Sequence, residues 1–118
     1  MIQKALSILQ RDEMDAWMRP VWSDIRGASL QQGHPAPFPV EIAERIIRLF
    51  SFAGDTVLDP FAGSGSTAAA AIHTGRSSIS VEIEEQYLNA ATRRAANEAA
   101  NRSIETHTSV VSEFTQRA

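Results

Sequence analysis

The chain has 118 residues, of which 43% are hydrophobic and 21% are charged, and its formal net charge is −3. This length suits one domain of a globular protein, and a domain that grips nucleic acid alone usually carries a basic surplus that is missing here. The absence of cysteine excludes disulfides and thiolate metal sites. No stretch resembles a signal peptide or approaches the ~20 apolar residues of a membrane span, so we expect a cytoplasmic protein.

The first half of the chain predicts two helices separated by an irregular segment. Residues 2–18 lack glycine and proline and place apolar side chains on one helical face, until Pro20 stops the helix. Residues 19–39 contain four of the five prolines and two of the six glycines. An irregular segment of this length is usually functional or bound to a partner. Residues 40–51 again show helical spacing and predict a helix that ends before Gly54.

The second half alternates strands and helices. Its predicted elements are a strand at 56–59, a helix at 66–74 closed by Gly75, a strand at 77–82, a helix at 84–102 and a weaker strand at 104–111, followed by seven frayed residues. Each strand–helix–strand connection is right-handed and returns to a parallel sheet. The sequence therefore predicts an α/β protein: part of a Rossmann-like fold in three layers, with about three parallel strands and flanking helices. We expect this domain to cover 34–118, preceded by a helix and an irregular N-terminal segment at 1–33.

A loop with two glycines joins the first predicted strand to the following helix. Ligands of open parallel sheets bind at this carboxyl end of the strands. Gly63 and Gly65 can adopt backbone angles that other residues avoid, and they let a ligand approach the main chain. The free N–H groups at the start of the helix favour a carboxylate or phosphate. Ser64, Ser66 and Thr67 add hydroxyls that can cap the helix or contact the ligand.

Two carboxylates flank this loop. Glu82 ends the second predicted strand, 23 residues after Asp59, and a carboxylate there can accept hydrogen bonds from both ribose hydroxyls. The dinucleotide-binding motif G-x-G-x-x-G also tolerates alanine at its last position, where this chain has Ala68. Spacing alone therefore does not exclude a dinucleotide as the ligand. Asp59, however, would repel a pyrophosphate and attract an ammonium. S-adenosylmethionine offers the ribose, the carboxylate and the amine together. The competing interpretations are a purely structural glycine turn and a solvated Glu82.

Two blocks of sequence resemble the C-terminal part of DNA amino-methyltransferases, which modify adenine at N6 or cytosine at N4. They are HPAPFP at 34–39, followed by a helix, and DTVLDPFAGSGST at 55–67, and the similarity runs from about Val21 to about Arg94. In the permuted group with this arrangement, the catalytic segment comes first and the cofactor-binding segment last. The resemblance implies a methyltransferase-like fold, S-adenosylmethionine as the cofactor, and a part in DNA methylation and restriction-modification.

The resemblance also implies which residues bind the cofactor. Asp59 matches the family residue near the methionine amine, and Glu82 matches the acid that holds the ribose. The segment 34–39 matches the part that crosses over the cofactor. The complete implied set is Phe38, Pro39, Asp59, Pro60, Phe61, Ala62, Gly63, Ser64, Gly65, Ser66, Thr67 and Glu82.

Several other residues are better explained by structure than by chemistry. His34 precedes a proline and is expected to be a hydrogen-bonding scaffold rather than a base. Trp17 and Trp22 suggest base stacking, but packing is the favoured interpretation. His73 and His107 show no ligand pattern with any acid or with each other, so the sequence predicts no metal site.

The family's catalytic motif is absent from this chain. That motif is a polar residue followed by two prolines and an aromatic, and no two prolines are adjacent here. Its oxygens accept hydrogen bonds from the target amine after the base is flipped out of the duplex. We therefore expect the chain to be inactive alone, as the cofactor-binding part of a DNA amino-methyltransferase that needs a second chain. The alternatives are a non-catalytic remnant acting as a binding or oligomerisation module and, third, a nicotinamide-dependent protein.

The missing segment also predicts an open sheet edge. In the complete fold the strand at 56–59 is central, and the resemblance implies that its second neighbour leads to the catalytic motif. An apolar strand with an open edge invites pairing with another chain. Unless the helix at 2–18 covers this edge, we expect a homo-oligomer or docking onto a separate catalytic half. DNA would be contacted only through such an assembly, and the sequence does not choose between adenine and cytosine.

Overall fold

Two parallel strands and a layer of helices form the part of the chain that the computed structural model describes, which is residues 2–27 and 38–102. In chain order the elements are α1 (Ile2–Leu6), α2 (Arg11–Trp17), α3 (Val40–Phe50), β1 (Thr56–Asp59), α4 (Ser66–Thr74), β2 (Ser77–Ser80) and α5 (Glu85–Asn101). Among these helices, none has the length and apolar character needed to cross a bilayer.

The sheet pairs β1 with β2 in parallel, with α4 as the connection between them. The register runs from Thr56 opposite Ser77 to Asp59 opposite Ser80. The predicted α/β class with parallel strands is confirmed, although β2 ends two residues earlier than expected. The predicted third strand at 104–111 lies outside the described residues. The parallel register places the carboxyl ends of both strands at one edge of the sheet.

One face of this sheet is covered by helices. Val57 packs against a core formed by α3 and α4, which consists of Ala43, Ile47, Ala70 and Ala71. The alanines in the middle of α4 are completely buried, because their small side chains let α3 and α5 approach that helix closely. Leu58 points the opposite way, as expected from strand alternation, and 64% of its surface is exposed. The described residues therefore cover the sheet on one face only.

The N-terminal region contains two short helices instead of the single helix predicted at 2–18. The backbone N–H of Gln10 donates to Glu13 (3.1 Å), which starts α2 at that point. The intervening residues make tertiary hydrogen bonds: Ser7 Oγ accepts from the Ala53 N–H (2.8 Å), and the Ile8 carbonyl accepts from Arg48 (3.4 Å). The single-helix prediction is wrong because these contacts bind the chain in a non-helical turn.

Residues 11–27, which we call the arm, lie against α3 through an arginine held between two aromatic rings. The Arg45 guanidinium carbon is 5.5 Å from the ring centroid of Trp17 and 5.3 Å from that of Trp22. Arg45 is buried, and it forms ion pairs with Asp24 and Glu41, each at 2.7 Å. These contacts confirm packing as the role of both tryptophans, since cation–π contacts of this kind stabilise a docked segment.

Two carboxyl groups that hold the arm make its docking sensitive to acid. The hydrogen bond from Arg45 lowers the pKa of Asp24. The backbone N–H of Gln10, followed by Arg48, lowers the pKa of Glu13. A depressed pKa in the folded state means that each carboxylate stabilises the docked arm at pH values above its unfolded pKa of about 4. This contribution is lost as the pH falls through the folded pKa.

We therefore expect the arm to pack less tightly against α3 as the pH falls below about 4. Trp17 and Trp22 are the only tryptophans of the chain, so their fluorescence reports this event directly. The emission maximum should move to longer wavelength between about pH 5 and pH 3, and Asp24→Asn should show part of that shift already at about pH 7. Emission that stays constant over this pH range would contradict the role given to the two carboxylates.

Candidate functional site

The loop between β1 and α4 is hydrogen-bonded to the residue that follows β2. The Ala62 N–H donates to the Val81 carbonyl (3.0 Å), and Gly65 provides the N-cap of α4. Gly63 and Gly65 have φ values of 54° and 88°, in the left-handed region that favours glycine. The glycines thus turn the chain sharply from the carboxyl end of the sheet into a helix N-terminus.

Gly65 is also required by its neighbour on α5. A Cβ atom at this position would lie 3.0 Å from the Cβ and 3.1 Å from the Cα of Ala91. The purely structural interpretation of the glycine turn is therefore correct in part, because close helix packing by itself demands a glycine here. It does not account for Gly63, whose backbone N–H has an acidic partner.

Glu82 holds the glycine loop. Its Oε2 accepts a hydrogen bond from the Gly63 N–H (2.7 Å), and its Oε1 accepts from the Glu84 N–H (3.0 Å). The side chain is half-buried, so the interpretation of Glu82 as a solvated strand-end charge is wrong. Each carboxylate oxygen has a second lone-pair direction that one N–H does not use. The carboxylate therefore keeps the capacity to accept two hydroxyl donors, such as those of a ribose.

Asp59 occupies the end of β1, at the same edge of the sheet. Its Oδ1 accepts from the Phe61 N–H (3.0 Å), which forms the first turn of the loop. The carboxyl is half-buried, whereas Phe61 is 86% exposed and Pro60 is also exposed. Asp59 thus ends β1 and Glu82 lies two residues after the end of β2, with the glycine loop between them.

The segment before α3 also reaches this loop. The Phe38 carbonyl accepts a hydrogen bond from Ser66 Oγ (3.2 Å), which places Phe38 and Pro39 beside the first turn of α4. Arg94 of α5 donates to the same hydroxyl (3.2 Å). Ser66 is 2% exposed, so its hydroxyl forms its hydrogen bonds within the protein interior. Ser64 is buried as well, and Thr67 is half-buried.

Sequence reasoning missed the contribution of α5 to this site. Ala91 packs against Gly65, and Arg94 donates to Ser66. The helical spacing of small residues in this alanine-rich segment could have indicated the first contact. His34 falls outside the described residues, so the predicted site is described only from Phe38 onward.

His73 has acidic partners that the sequence did not reveal. Its Nδ1 lies 2.5 Å from Glu44 Oε1 on α3, and its Nε2 lies 2.8 Å from Glu98 Oε2 on α5. Both acids are distant in sequence and approach His73 only in the fold. Within residues 2–27 and 38–102, no group of three metal-ligating side chains converges as a metal site. The cluster instead joins three helices.

The fold is that of Rossmann-like α/β proteins, in which ligands bind at the carboxyl ends of the strands. More narrowly, the chain belongs to the DNA methylase family, whose family model matches residues 3–93.

Several relatives of this chain are type II methyltransferases. The chain is 44% identical over 85 residues to M.MjaI of Methanocaldococcus jannaschii, covering 67% of this chain and 27% of that protein. It is 35% identical over 112 residues to M.BglI of Bacillus subtilis, covering 89% of this chain and 32% of that protein. The chain thus spans about a quarter to a third of the length of these relatives.

Solved structures agree with the sequence comparison. TTHA0409 of Thermus thermophilus, assigned as a DNA modification methylase and crystallised with S-adenosyl-L-methionine, is 41% identical with a TM-score of 0.67. The match covers 83% of this chain and 37% of that one. The complex of M1.HpyAVI with the same cofactor matches 64% of this chain and 40% of that chain, with 30% identity and a TM-score of 0.53. The predicted methyltransferase fold is therefore confirmed.

Proposed function

We propose that this chain is the S-adenosylmethionine-binding portion of a DNA amino-methyltransferase, which acts at adenine N6 or cytosine N4 and needs a second polypeptide for catalysis. The observation that carries the proposal is the hydrogen bond from the Gly63 N–H to Glu82. It fixes the glycine loop against the acid that would receive a ribose. Relatives and structural neighbours with this segment are methyltransferases, and two of those neighbours were crystallised with this cofactor.

The residues present fit the chemical groups of that cofactor. The N–H groups of Ala62, Gly63 and Gly65 are already bonded within the protein. The first intrahelical bond of α4 runs from Ala69 to Gly65, so the N–H groups of residues 66–68 precede the helical ladder. They form the positive end of the helix dipole and suit the methionine carboxylate. Asp59 suits the methionine amine.

Glu82 is the residue that would bind the ribose, because each of its two carboxylate oxygens can still accept a hydrogen bond beside the loop. The backbone at Phe38 and Pro39 lies next to the start of α4, where it can close one side of the site. When bound, S-adenosylmethionine supplies an electrophilic methyl group. The chain's own part is to orient that group, because the described acids and amides at the glycine loop bind the ends of the ligand.

Transfer of the methyl group is assigned to the assembly with a second chain. The proline motif that would hold the target amine is absent from the sequence, and the chain spans only 27% of M.MjaI and 32% of M.BglI. The net charge of −3 likewise gives no basic surplus for gripping a duplex. Purified alone, the chain should not methylate DNA. A non-catalytic remnant would share that property, and only addition of the missing half separates the two.

Calorimetry with S-adenosylhomocysteine and with NAD tests the proposal. We expect S-adenosylhomocysteine to bind and NAD not to bind, because Asp59 repels a pyrophosphate. Asp59→Ala should weaken binding of S-adenosylhomocysteine by about 1–3 kcal/mol, the worth of a charge-assisted hydrogen bond to the amine. Asp15→Ala, an identical change at an exposed position of α2, is the matched control and should bind like the wild type. Preferential binding of NAD would overturn the proposal.

A further inference from the structure

We propose that Arg94 of α5 is a positioning residue for the cofactor site, which acts through the Ser66 hydroxyl on the segment at 38–39. The inference rests on the proposed function, because the ligand concerned is S-adenosylmethionine. It adds to that function a residue that lies outside the cofactor-binding set implied by the resemblance.

Arg94 reaches the start of α4 from the part of α5 that packs against the glycine loop. It lies three residues after Ala91, whose close approach to Gly65 brings α5 to the N-terminus of α4. The Arg94 Nη1 donates to Ser66 Oγ (3.2 Å) and makes a longer contact with the Ser64 carbonyl (3.5 Å). The arginine side chain is half-buried. A guanidinium is therefore bound where the glycine loop becomes a helix.

The donor chemistry of arginine determines how the Ser66 hydroxyl is used. A guanidinium donates and never accepts, whereas a hydroxyl has one proton and two acceptor sites. Because Arg94 occupies an acceptor site, the Ser66 proton is directed to the Phe38 carbonyl (3.2 Å). A positive charge on the acceptor side also polarises the O–H bond and strengthens the hydrogen bond that it donates. Arg94 therefore stabilises the link between α4 and Phe38.

This link joins two parts of the proposed cofactor site. Pro39 is the N-cap of α3, and its carbonyl accepts from the Ile42 N–H (3.1 Å), so α3 holds the segment on one side. Ser66 holds the same segment through the Phe38 carbonyl. The N–H groups proposed for the methionine carboxylate also begin at Ser66. Arg94 thus fixes the distance between the backbone at 38–39 and the amides at the start of α4, and ligand affinity depends on such preorganisation.

Calorimetry with S-adenosylhomocysteine on the full chain tests the inference. Arg94→Met should weaken binding about tenfold, which corresponds to the loss of one charge-assisted hydrogen bond. Arg94→Lys should restore part of the affinity, because an ammonium can replace the single donor nitrogen that contacts Ser66. Arg93→Met, the same change at the preceding and exposed residue, is the matched control and should bind like the wild type. All variants should keep the wild-type circular dichroism spectrum at the temperature of the titration.

A double-mutant cycle shows whether Arg94 acts through Ser66. Ser66→Ala removes the hydroxyl between Arg94 and Phe38, so it should weaken binding by a similar factor. Adding Arg94→Met to Ser66→Ala should then weaken binding by less than about threefold more, because the bond concerned is already absent. If Arg94 contributed only general stability, the two losses of affinity would multiply instead.

The Phe38 carbonyl reports the same hydrogen bonds without any ligand. Phe38 and Pro39 form the only Phe-Pro pair in the sequence. A chain labelled with carbon-13 at its phenylalanine carbonyls and nitrogen-15 at its prolines therefore has one carbonyl carbon coupled to nitrogen-15. That resonance should move upfield in Arg94→Met and in Ser66→Ala, because the carbonyl loses or weakens its hydrogen bond. It should stay unchanged in Arg93→Met.

Three results would overturn this inference and leave the proposed function standing. They are wild-type affinity in Arg94→Met, losses that multiply in the double variant, and a Phe38 resonance that Arg94→Met does not move. A wild-type chain that fails to bind S-adenosylhomocysteine would reject the proposed function, and the cofactor role of Arg94 with it. The two failures are distinguishable, because only the second removes binding from the wild type.

Discussion

Replacement of Glu82 with glutamine is expected to weaken binding of S-adenosylhomocysteine by about tenfold to a hundredfold. Glutamine has one acceptor oxygen where the carboxylate has two, so either the Gly63 N–H or the Glu84 N–H would face an amide NH₂. The loop would lose a charge-assisted hydrogen bond, and the ribose would lose a charged acceptor. The expected loss of affinity corresponds to about one charge-assisted hydrogen bond, which is worth about 1.5–3 kcal/mol.

The two contributions can be separated with a modified ligand. An analogue of S-adenosylhomocysteine that lacks the 2′- and 3′-hydroxyls cannot donate to Glu82. If Glu82 binds the ribose, the substitution should cost little with this analogue and much with the complete ligand. If Glu82 only holds the loop, both ligands should lose affinity equally. A double-mutant cycle that combines the protein change with the ligand change, measured by calorimetry, gives the coupling energy between Glu82 and the ribose hydroxyls.

Glu85→Gln is the matched control for this experiment. Glu85 lies in the first turn of α5, is exposed, and undergoes the same loss of charge a few residues further along the chain. It should bind both ligands like the wild type. Wild-type affinity in Glu82→Gln would remove the main support for the assigned cofactor site, because Glu82 is the described acid that both contacts the loop and follows β2.

The elements nearest to the glycine loop were predictable because their signals are local. The bounds of β1 and α4 are those that the sequence predicts. Gly65 and Gly75 close α4 at both ends with left-handed φ values of 88° and 78°, which few other residues adopt. Helix starts and stops of this kind depend on adjacent residues alone, so periodicity and turn chemistry suffice to place them.

The break between α1 and α2 could not be predicted in the same way. It depends on Ala53 and Arg48, which lie far along the chain and meet the turn only in the fold. The 2–18 region has helical spacing throughout, and local preference indicated one helix. Tertiary hydrogen bonds outweighed that preference, because a short helix gains little from its own backbone ladder.

The sequence predicted that two acids flank the glycine loop, and the structure places both there, each accepting a hydrogen bond from a backbone N–H of the loop. Their contact with a cofactor stays a prediction. The role of Ser66 could not be predicted from the sequence, because its hydroxyl forms hydrogen bonds with Phe38 and Arg94, which lie in two distant segments. The burial of Arg76 could not be predicted either, because its partners Leu6 and Ser51 are also distant in sequence. Arginine is mostly exposed in proteins, and an arginine directly after a capping glycine resembles a surface loop residue.

Arg76→Met is expected to cause a large loss of stability. The side chain is 5% exposed and joins three segments. Its guanidinium donates to the carbonyls of Leu6 (3.1 Å), Ser51 (2.7 Å) and Thr74 (2.6 Å), and also to the Ser51 hydroxyl (3.1 Å). Methionine fills a similar volume without donating to any of them.

The burial of this charge explains why the loss should be large. Desolvation lowers the pKa of Arg76, and nearby Arg48 adds to this, whereas Asp55 acts in the opposite direction. The guanidinium nevertheless stays protonated, so its donors stabilise the fold at any working pH. Removing it leaves carbonyl groups with lost partners in a region that water reaches poorly. We expect a net loss of about 3 kcal/mol, because the cost of desolvating the guanidinium offsets a large part of the four hydrogen bonds that it donates.

Urea and thermal unfolding followed by circular dichroism measure this loss. A change of about 3 kcal/mol would lower the melting temperature of a domain of this size by more than about 10 °C. Arg93→Met, the same change at an exposed position of α5, is the control and should leave the melting temperature within about 2 °C of the wild type. Arg76→Lys should fall between them, because an ammonium keeps the charge but cannot reach all of these acceptors from one point. Equal midpoints for Arg76→Met and Arg93→Met would mean that water replaces the guanidinium as the partner of these carbonyls.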